Sequence, residues 1–262
     1  MTSTYYYKGN EYVPKSYASA EAGYWLATGA SAAILSPLAL TRKPLVKQVL
    51  KEQANNNLYK DKFIKAFENS GLIEKGVTLA EPQAFNDFSS EFAKGTNAAF
   101  KPKAKQILIN TEKSSFLGFH ELGHALNQLK SPWLTRMNAK FYGIGYAIAG
   151  WMGYLALFSS IKPKDAPKNI EDRIKDNCGK IAFAAMIPVV IEEALASHKG
   201  IKLAKSVGAD NQMVQKLKSL YAKALLTYVG RCVLGGLAVG ASSMIMEYFT
   251  RPQKITNNDV WF

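Results

Sequence analysis

Two stretches of this chain, Ala22 to Leu40 and Phe141 to Ile161, contain no charged side chain over about 19 and 21 residues. A helix needs roughly 20 apolar residues to cross the hydrocarbon core of a bilayer, so both blocks read as membrane helices. The first is closed by Arg42 and Lys43 and has Pro37 near its end, where a lost backbone hydrogen bond costs least. The second carries Tyr142, Tyr146, Trp151 and Tyr154 between Gly143, Gly145, Gly150 and Gly153, a mixture of interfacial aromatics and small packing residues that suits a bilayer. Ala224 to Met246 reads as a further span, with Arg231 close enough to one end to reach the interface. Ile181 to Ile191 is only about 11 residues long, a length that favours a buried helix, and a full crossing there requires Lys180 to snorkel.

Four crossings from an external N-terminus place residues 42–140 and 199–223 on one side. Arg42, Lys43, Lys47 and Lys51 lie there together with Lys199, Lys202 and Lys205, which makes that side cytoplasmic by the positive-inside rule. The formal charge of +13 fits the same picture. The basic residues flank the apolar blocks without forming a continuous run, a pattern that anionic lipid headgroups attract. The expected partner is therefore a lipid bilayer, ahead of a solvated basic exterior, with no nucleic-acid partner. Cys178 and Cys232 are too few and too far apart for a disulfide framework or a Cys-x-x-Cys metal site. The first twenty residues lack the basic region and short apolar core of a cleaved signal peptide, so the first block is expected to be retained.

Between the first two blocks the composition becomes that of a soluble segment. Leu45, Val46, Val49, Leu50, Phe63, Ile64 and Phe67 recur at helical spacing and predict two amphipathic helices separated by Asn55, Asn56 and Asn57. Gly71 suits the end of the second, and Gly76 to Pro102 allows no assignment. Gln106 to Asn110 reads as a strand. Ser114 or Ser115 is placed to cap a helix running through Phe116 and His120 toward Leu129, with Pro132 as its stop. The expected organisation is an N-terminal segment and first membrane helix (1–43), a cytoplasmic portion (44–140), a membrane hairpin (141–200) and a basic helix followed by a last membrane helix (201–262).

Within the capped helix the chain reads His120, Glu121, Leu122, Gly123, His124, a His-Glu-x-x-His motif that holds two of its three histidines. Residues four apart share one helix face, so both imidazoles can reach a single metal ion. A zinc ion there lowers the pKa of water from nearly 16 to about 7, and the adjacent Glu121 can take the proton as the oxygen attacks a peptide carbonyl. A tetrahedral catalytic site needs a third protein ligand. Glu192 and Glu193, in the run Ile191 to His198, stand at the end of the returning hairpin helix, and either can supply it. Gly123 is expected to permit close helix approach, and Asn127 to be a surface amide or a supporting one behind the site.

From Ile107 to Gly200 the chain resembles the membrane-embedded gluzincin proteases, the group that includes the HtpX heat-shock proteases and the CAAX prenyl proteases. The resemblance rests on a short strand, the His-Glu-x-x-His helix, a membrane hairpin and a Glu-x-x-Ala element. It implies a mainly α, multi-helix membrane protein with a zincin-like metal helix, a helical hairpin and a small β element. Aligning Ala196 with the family alanine implies His120, His124 and Glu193 as ligands of one Zn2+ per chain, Glu192 being the alternative to Glu193. Where the family places an aspartate that hydrogen-bonds a metal histidine, this chain has Ser197. The metzincin spacing requires a histidine at 130, where Lys130 stands.

His198 is read as an oxyanion stabiliser, an alternative ligand or an interfacial histidine. Gln106 to Asn110 is read as an edge strand that pairs with an extended substrate or as an ordinary sheet strand. The function implied is a membrane-integrated zinc endopeptidase acting on membrane or membrane-proximal polypeptides, its site facing the cytoplasm. A catalytically silent metal scaffold and a soluble zinc protease with buried apolar helices are the other readings.

Overall fold

The computed structural model describes residues 5–7, 10–13, 15–81, 94–158, 162–163 and 166–254. Its helices are α1 (Tyr17–Leu35), α2 (Pro37–Gln53), α3 (Asn57–Asn69), α4 (Thr111–Leu129), α5 (Trp133–Phe158), α6 (Ile170–Asp176), α7 (Cys178–Ser206) and α8 (Asn211–Thr250). Short strands accompany them: β1 (Tyr5–Tyr7), β2 (Asn10–Val13), β3 (Thr78–Ala80), β4 (Ala99–Lys101), β5 (Gln106–Leu108) and β6 (Gln253–Lys254). The fold is mainly α with a small β element, as expected. Three helical stretches, Tyr17–Gln53, Trp133–Phe158 and Asn211–Thr250, are long and apolar enough to cross a membrane.

The helix boundaries depart from the expected ones where local chemistry overrides the apolar pattern. The first apolar block is divided at Ser36, and Pro37, with no N–H to donate, opens α2 instead of ending α1. The short block at Ile181 grows into a 29-residue helix that includes Lys180, Glu192, Glu193 and Lys199. That helix is not among the three stretches long and apolar enough to cross a membrane. The basic segment after residue 201 is not a separate helix. Gly208, at φ +80, ends α7, and α8 then runs unbroken for 40 residues from a start capped by Asp210, which accepts from the Met213 N–H. The polar loop before α7 contains the unexpected α6, opened by a reciprocal capping box between Asn169 and Asp172.

The chain divides into two units. One comprises residues 1–37, 145–186 and 231–262, and holds the antiparallel sheet β1-β2-β6, which the sequence did not announce. Its helices approach closely through small residues. A Cβ on Gly179 would lie 2.8 Å from the Gly236 carbonyl oxygen and from Gly240 Cα, and Ser31 and Ser242 hydroxyls meet at 2.6 Å. Close backbone contact and hydroxyl pairing are how helices associate where no hydrophobic force drives them together.

The other unit, residues 38–144 and 187–230, carries the motif helix. Its core includes the fully buried Tyr59, Phe63, Phe116, Phe119 and Leu217, with Phe63 set edge-on to Phe119 at 5.8 Å between ring centres. The sheet order is β3-β5-β4, with β5 parallel to β3 and antiparallel to β4. Of the two readings of Gln106 to Asn110, the ordinary sheet strand is the one that holds: β5 lies between β3 and β4, and beyond it the Ile109 N–H donates to the Ala80 carbonyl of β3 at 3.0 Å.

The helix carrying the motif also begins differently from expectation. It starts at Thr111 and breaks at Ser114 (φ −140, ψ 24), so the regular run opens at Ser115. Neither serine caps it: each hydroxyl donates backward, Ser114 to the Asn110 carbonyl and Ser115 to the Thr111 carbonyl. The cap comes from the turn between α2 and α3. Asn56 accepts from the Ser115 N–H through Oδ1 and donates to the Thr111 carbonyl through Nδ2, both at 2.8 Å.

Helix α4 then meets α7 with no side chain between them. A Cβ on Gly123 would lie 2.0 Å from the Ala196 carbonyl oxygen, and one on Gly200 2.4 Å from the Phe119 carbonyl oxygen. Because backbone cannot move aside as a flexible side chain can, Gly123→Ala is expected to destabilise this unit by about 1–3 kcal/mol through overpacking. Gly143→Ala, where nothing lies within 4 Å, should leave stability unchanged or slightly raised. Thermal unfolding of the two variants beside the wild type checks this, and equal melting temperatures would contradict the close contact.

Candidate metal centre

The α4–α7 contact brings three side chains to one point. His120 Nε2 lies 3.1 Å from His124 Nε2 and 3.1 Å from Glu193 Oε2, and the third side, His124 Nε2 to Glu193 Oε2, is 3.8 Å. Zinc bonds of about 2.0–2.1 Å in a tetrahedron separate neighbouring ligand atoms by about 3.3 Å, which these distances bracket. Glu193 rather than Glu192 occupies the third corner. The two imidazoles stand perpendicular, their centres 4.6 Å apart.

Both rings turn Nε2 inward because Nδ1 is engaged outside. His120 Nδ1 lies 3.2 Å from Ser197 Oγ, and His124 Nδ1 lies 3.1 Å from Glu192 Oε1. Partners of this kind set the tautomer and aim of a metal-binding imidazole. Asn127, expected at a surface or behind the site, is buried and donates to the same Glu192 oxygen at 2.9 Å. Tyr221 donates to the Phe116 carbonyl at 2.7 Å, and its ring lies 5.3 Å from that of His120. Tyr142 faces His124 at 6.3 Å.

Burial and paired charge govern the electrostatics of the group. Glu121, Glu192 and Glu193 are all buried, against two imidazoles. Burial alone would push the His124 pKa down, but hydrogen bonds to Glu192 and Glu193 outweigh it and hold that pKa above the usual histidine range. Burial likewise raises the Glu193 carboxyl, and its contacts with His120 and His124 more than reverse this, keeping it ionised well below the usual carboxylate range. A fixed carboxylate beside two inward nitrogens is the donor set that borderline divalent metals take.

Glu121 is 8 % exposed and stands beside the group. Its Oε2 accepts a hydrogen bond of 2.7 Å from the Phe100 N–H of β4, the strand that pairs antiparallel with β5. His198 is exposed on α7, and the structure does not bring it into the group. Sequence reasoning did not find Asn56, Tyr221 or the Phe100 N–H. These act through partners tens of residues away, and a backbone donor leaves no signature in residue type.

Comparison of the chain with protein-family models, curated proteins and solved structures finds no match. The site is therefore defined by its own geometry.

Since Asn56 supplies the acceptor for the Ser115 N–H, whereas the Thr111 carbonyl also accepts from the Ser115 hydroxyl, Asn56→Ala is expected to leave that N–H unpaired and cost about 1–3 kcal/mol. Thermal unfolding, with hydrogen exchange of the Ser115 amide as the local readout, tests it. Unchanged protection of that amide would rule out the capping role.

Proposed function

We propose that this chain is a membrane-integrated zinc endopeptidase, with His120, His124 and Glu193 as metal ligands and Glu121 as the general base. The observation that carries the reading is the triangle of two inward Nε2 atoms and one carboxylate oxygen at 3.1, 3.1 and 3.8 Å, formed by a His-Glu-x-x-His helix and a helix nearly 70 residues later in the chain. The resemblance to membrane-embedded gluzincins points the same way. Zinc, when bound, supplies the Lewis acidity that polarises the scissile carbonyl and acidifies water.

The rest of the chemistry belongs to the chain. Peptide hydrolysis adds water across the C–N bond: Glu121 accepts a proton from the attacking water and delivers it to the departing amine. The Phe100 N–H anchors one Glu121 oxygen, which leaves the other for that transfer. The same contact sets the base beside β4, and pairing with a strand is a means of holding an extended polypeptide through backbone hydrogen bonds independently of its sequence.

A membrane-proximal substrate is supported by a neighbour of the imidazoles. Tyr142 opens the apolar run of α5, a position that suits an aromatic residue at a membrane boundary. The Lys and Arg residues that follow the first block support a cytoplasmic site.

The Glu121 to Phe100 contact also suits a second reading, a catalytically silent scaffold in which Glu121 braces β4 against a structural metal site. One substitution separates the two. Under the protease reading, purified protein carries one zinc per chain. Glu121→Gln keeps that zinc while hydrolysis falls by about 10²–10⁴-fold, and Glu193→Ala loses the zinc. Zinc-loaded wild type that cleaves nothing across a broad panel of membrane proteins, together with loss of folding in His124→Ala, would favour the scaffold.

A further inference from the structure

Glu192 and Glu193 are adjacent on α7 and equally buried, at 2 % exposure, yet they meet opposite sides of one imidazole. Glu193 Oε2 approaches His124 Nε2 at 3.8 Å, whereas Glu192 Oε1 lies 3.1 Å from Nδ1. Glu192 is thus behind the ring, on the side away from the other two donors, and its contact is with the histidine and not with their shared point. The same oxygen accepts from Asn127 Nδ2 at 2.9 Å. Asn127 stands three residues after His124 on α4, one turn along the same face. Among the described residues the first imidazole has no carboxylate behind it; its Nδ1 meets the neutral Ser197 hydroxyl at 3.2 Å.

A carboxylate removed from water is costly unless hydrogen bonds or an opposite charge stabilise it. Glu192 has few of these. Its Oε2 is buried with no hydrogen-bond partner among the described residues, and so is Oδ1 of the Asn127 that holds it. Lys199 feels the Glu192 charge, but its ammonium donates to Ser131 Oγ. Among the described residues, the ionisable group in hydrogen-bond contact with this carboxylate is the His124 ring.

Resting on the metal-centre reading above, we infer that Glu192 is a positioning residue of that centre. Its carboxylate keeps the proton of His124 on Nδ1, aims Nε2 at the cation and makes that nitrogen a stronger donor, while Asn127 holds the carboxylate in line. The carboxylate support that the Ser197 position lacks behind the first histidine is supplied here behind the second.

The test uses the full chain purified in detergent, with Zn2+ affinity measured by competition with a chromophoric chelator and the absorption spectrum of the Co2+ form recorded. Carboxylate partners of metal histidines are worth about 10–100-fold in metal affinity. Glu192→Ala is expected to bind one zinc with affinity lowered by about that factor and with a changed Co2+ spectrum. Glu192→Gln keeps the shape and an acceptor oxygen, and should fall between Glu192→Ala and the wild type. Asn127→Ala should weaken binding in the same direction by less. Melting of the metal-free Glu192→Gln protein at the wild-type temperature separates the effect from a folding defect.

Wild-type affinity and Co2+ spectrum in Glu192→Ala would overturn the inference. So would loss of all metal in Glu192→Ala with retention in Glu193→Ala, which would make Glu192 the ligand. Wild-type protein that binds zinc tightly and hydrolyses no polypeptide would end the protease reading and leave the role of Glu192 standing. Wild-type protein that takes up neither metal would end both.

Discussion

The candidate centre depends on a contact that involves no functional group, the approach of α4 to α7 at Gly123 and Gly200. With a Cβ position on Gly123 only 2.0 Å from the Ala196 carbonyl oxygen, the two backbones touch. Side chains about one turn away on each helix are then forced to share the space beside the contact. Glu193 lies three residues before Ala196 and His120 three before Gly123, so the glycine contact and the donor group are about one helical turn apart on the same pair of faces. An ordinary side-chain interface separates helix axes by 8–10 Å, which would draw Glu193 away from the imidazoles.

Given that contact, polar burial sets the finer geometry. Each histidine has an outer partner on α7, Ser197 or Glu192, and both inner nitrogens are thereby turned to the same point. Glu121 is treated differently from its neighbours, being tied to the strand β4 through Phe100. The proposed metal ligands are thus held by helix against helix, whereas the proposed base is held by helix against strand.

The parts of this arrangement that were legible in the sequence are those encoded in periodicity or in a rigid spacing. Two imidazoles four residues apart on a helix must share a face, and Gly123 between them signals close packing. Apolar blocks of membrane length became three helices long and apolar enough to cross a membrane. Asn55 to Asn57 marked the interruption between α2 and α3.

Choices between near-equivalent local solutions were not legible. Ser114 and Ser115 have the chemistry of caps, but Asn56 occupies the donor they would have satisfied. Glu192 and Glu193 differ by a 100° rotation about one helix, which residue type does not distinguish. Gln106 to Leu108 has the composition of any short strand, and its central place depends on β3 and β4 pairing to either side. Residues 82–93, part of the segment that allowed no assignment, lie outside the described residues.

The central claim is that His120, His124 and Glu193 bind one cation through two Nε2 atoms and a carboxylate oxygen. X-ray absorption at the zinc edge of the purified, metal-loaded protein tests it most directly. Two imidazoles and oxygen ligands at about 2.0–2.2 Å, with no sulfur shell, are predicted. A shell at about 2.3 Å from cysteine sulfur, or the absence of imidazole scattering, would contradict it.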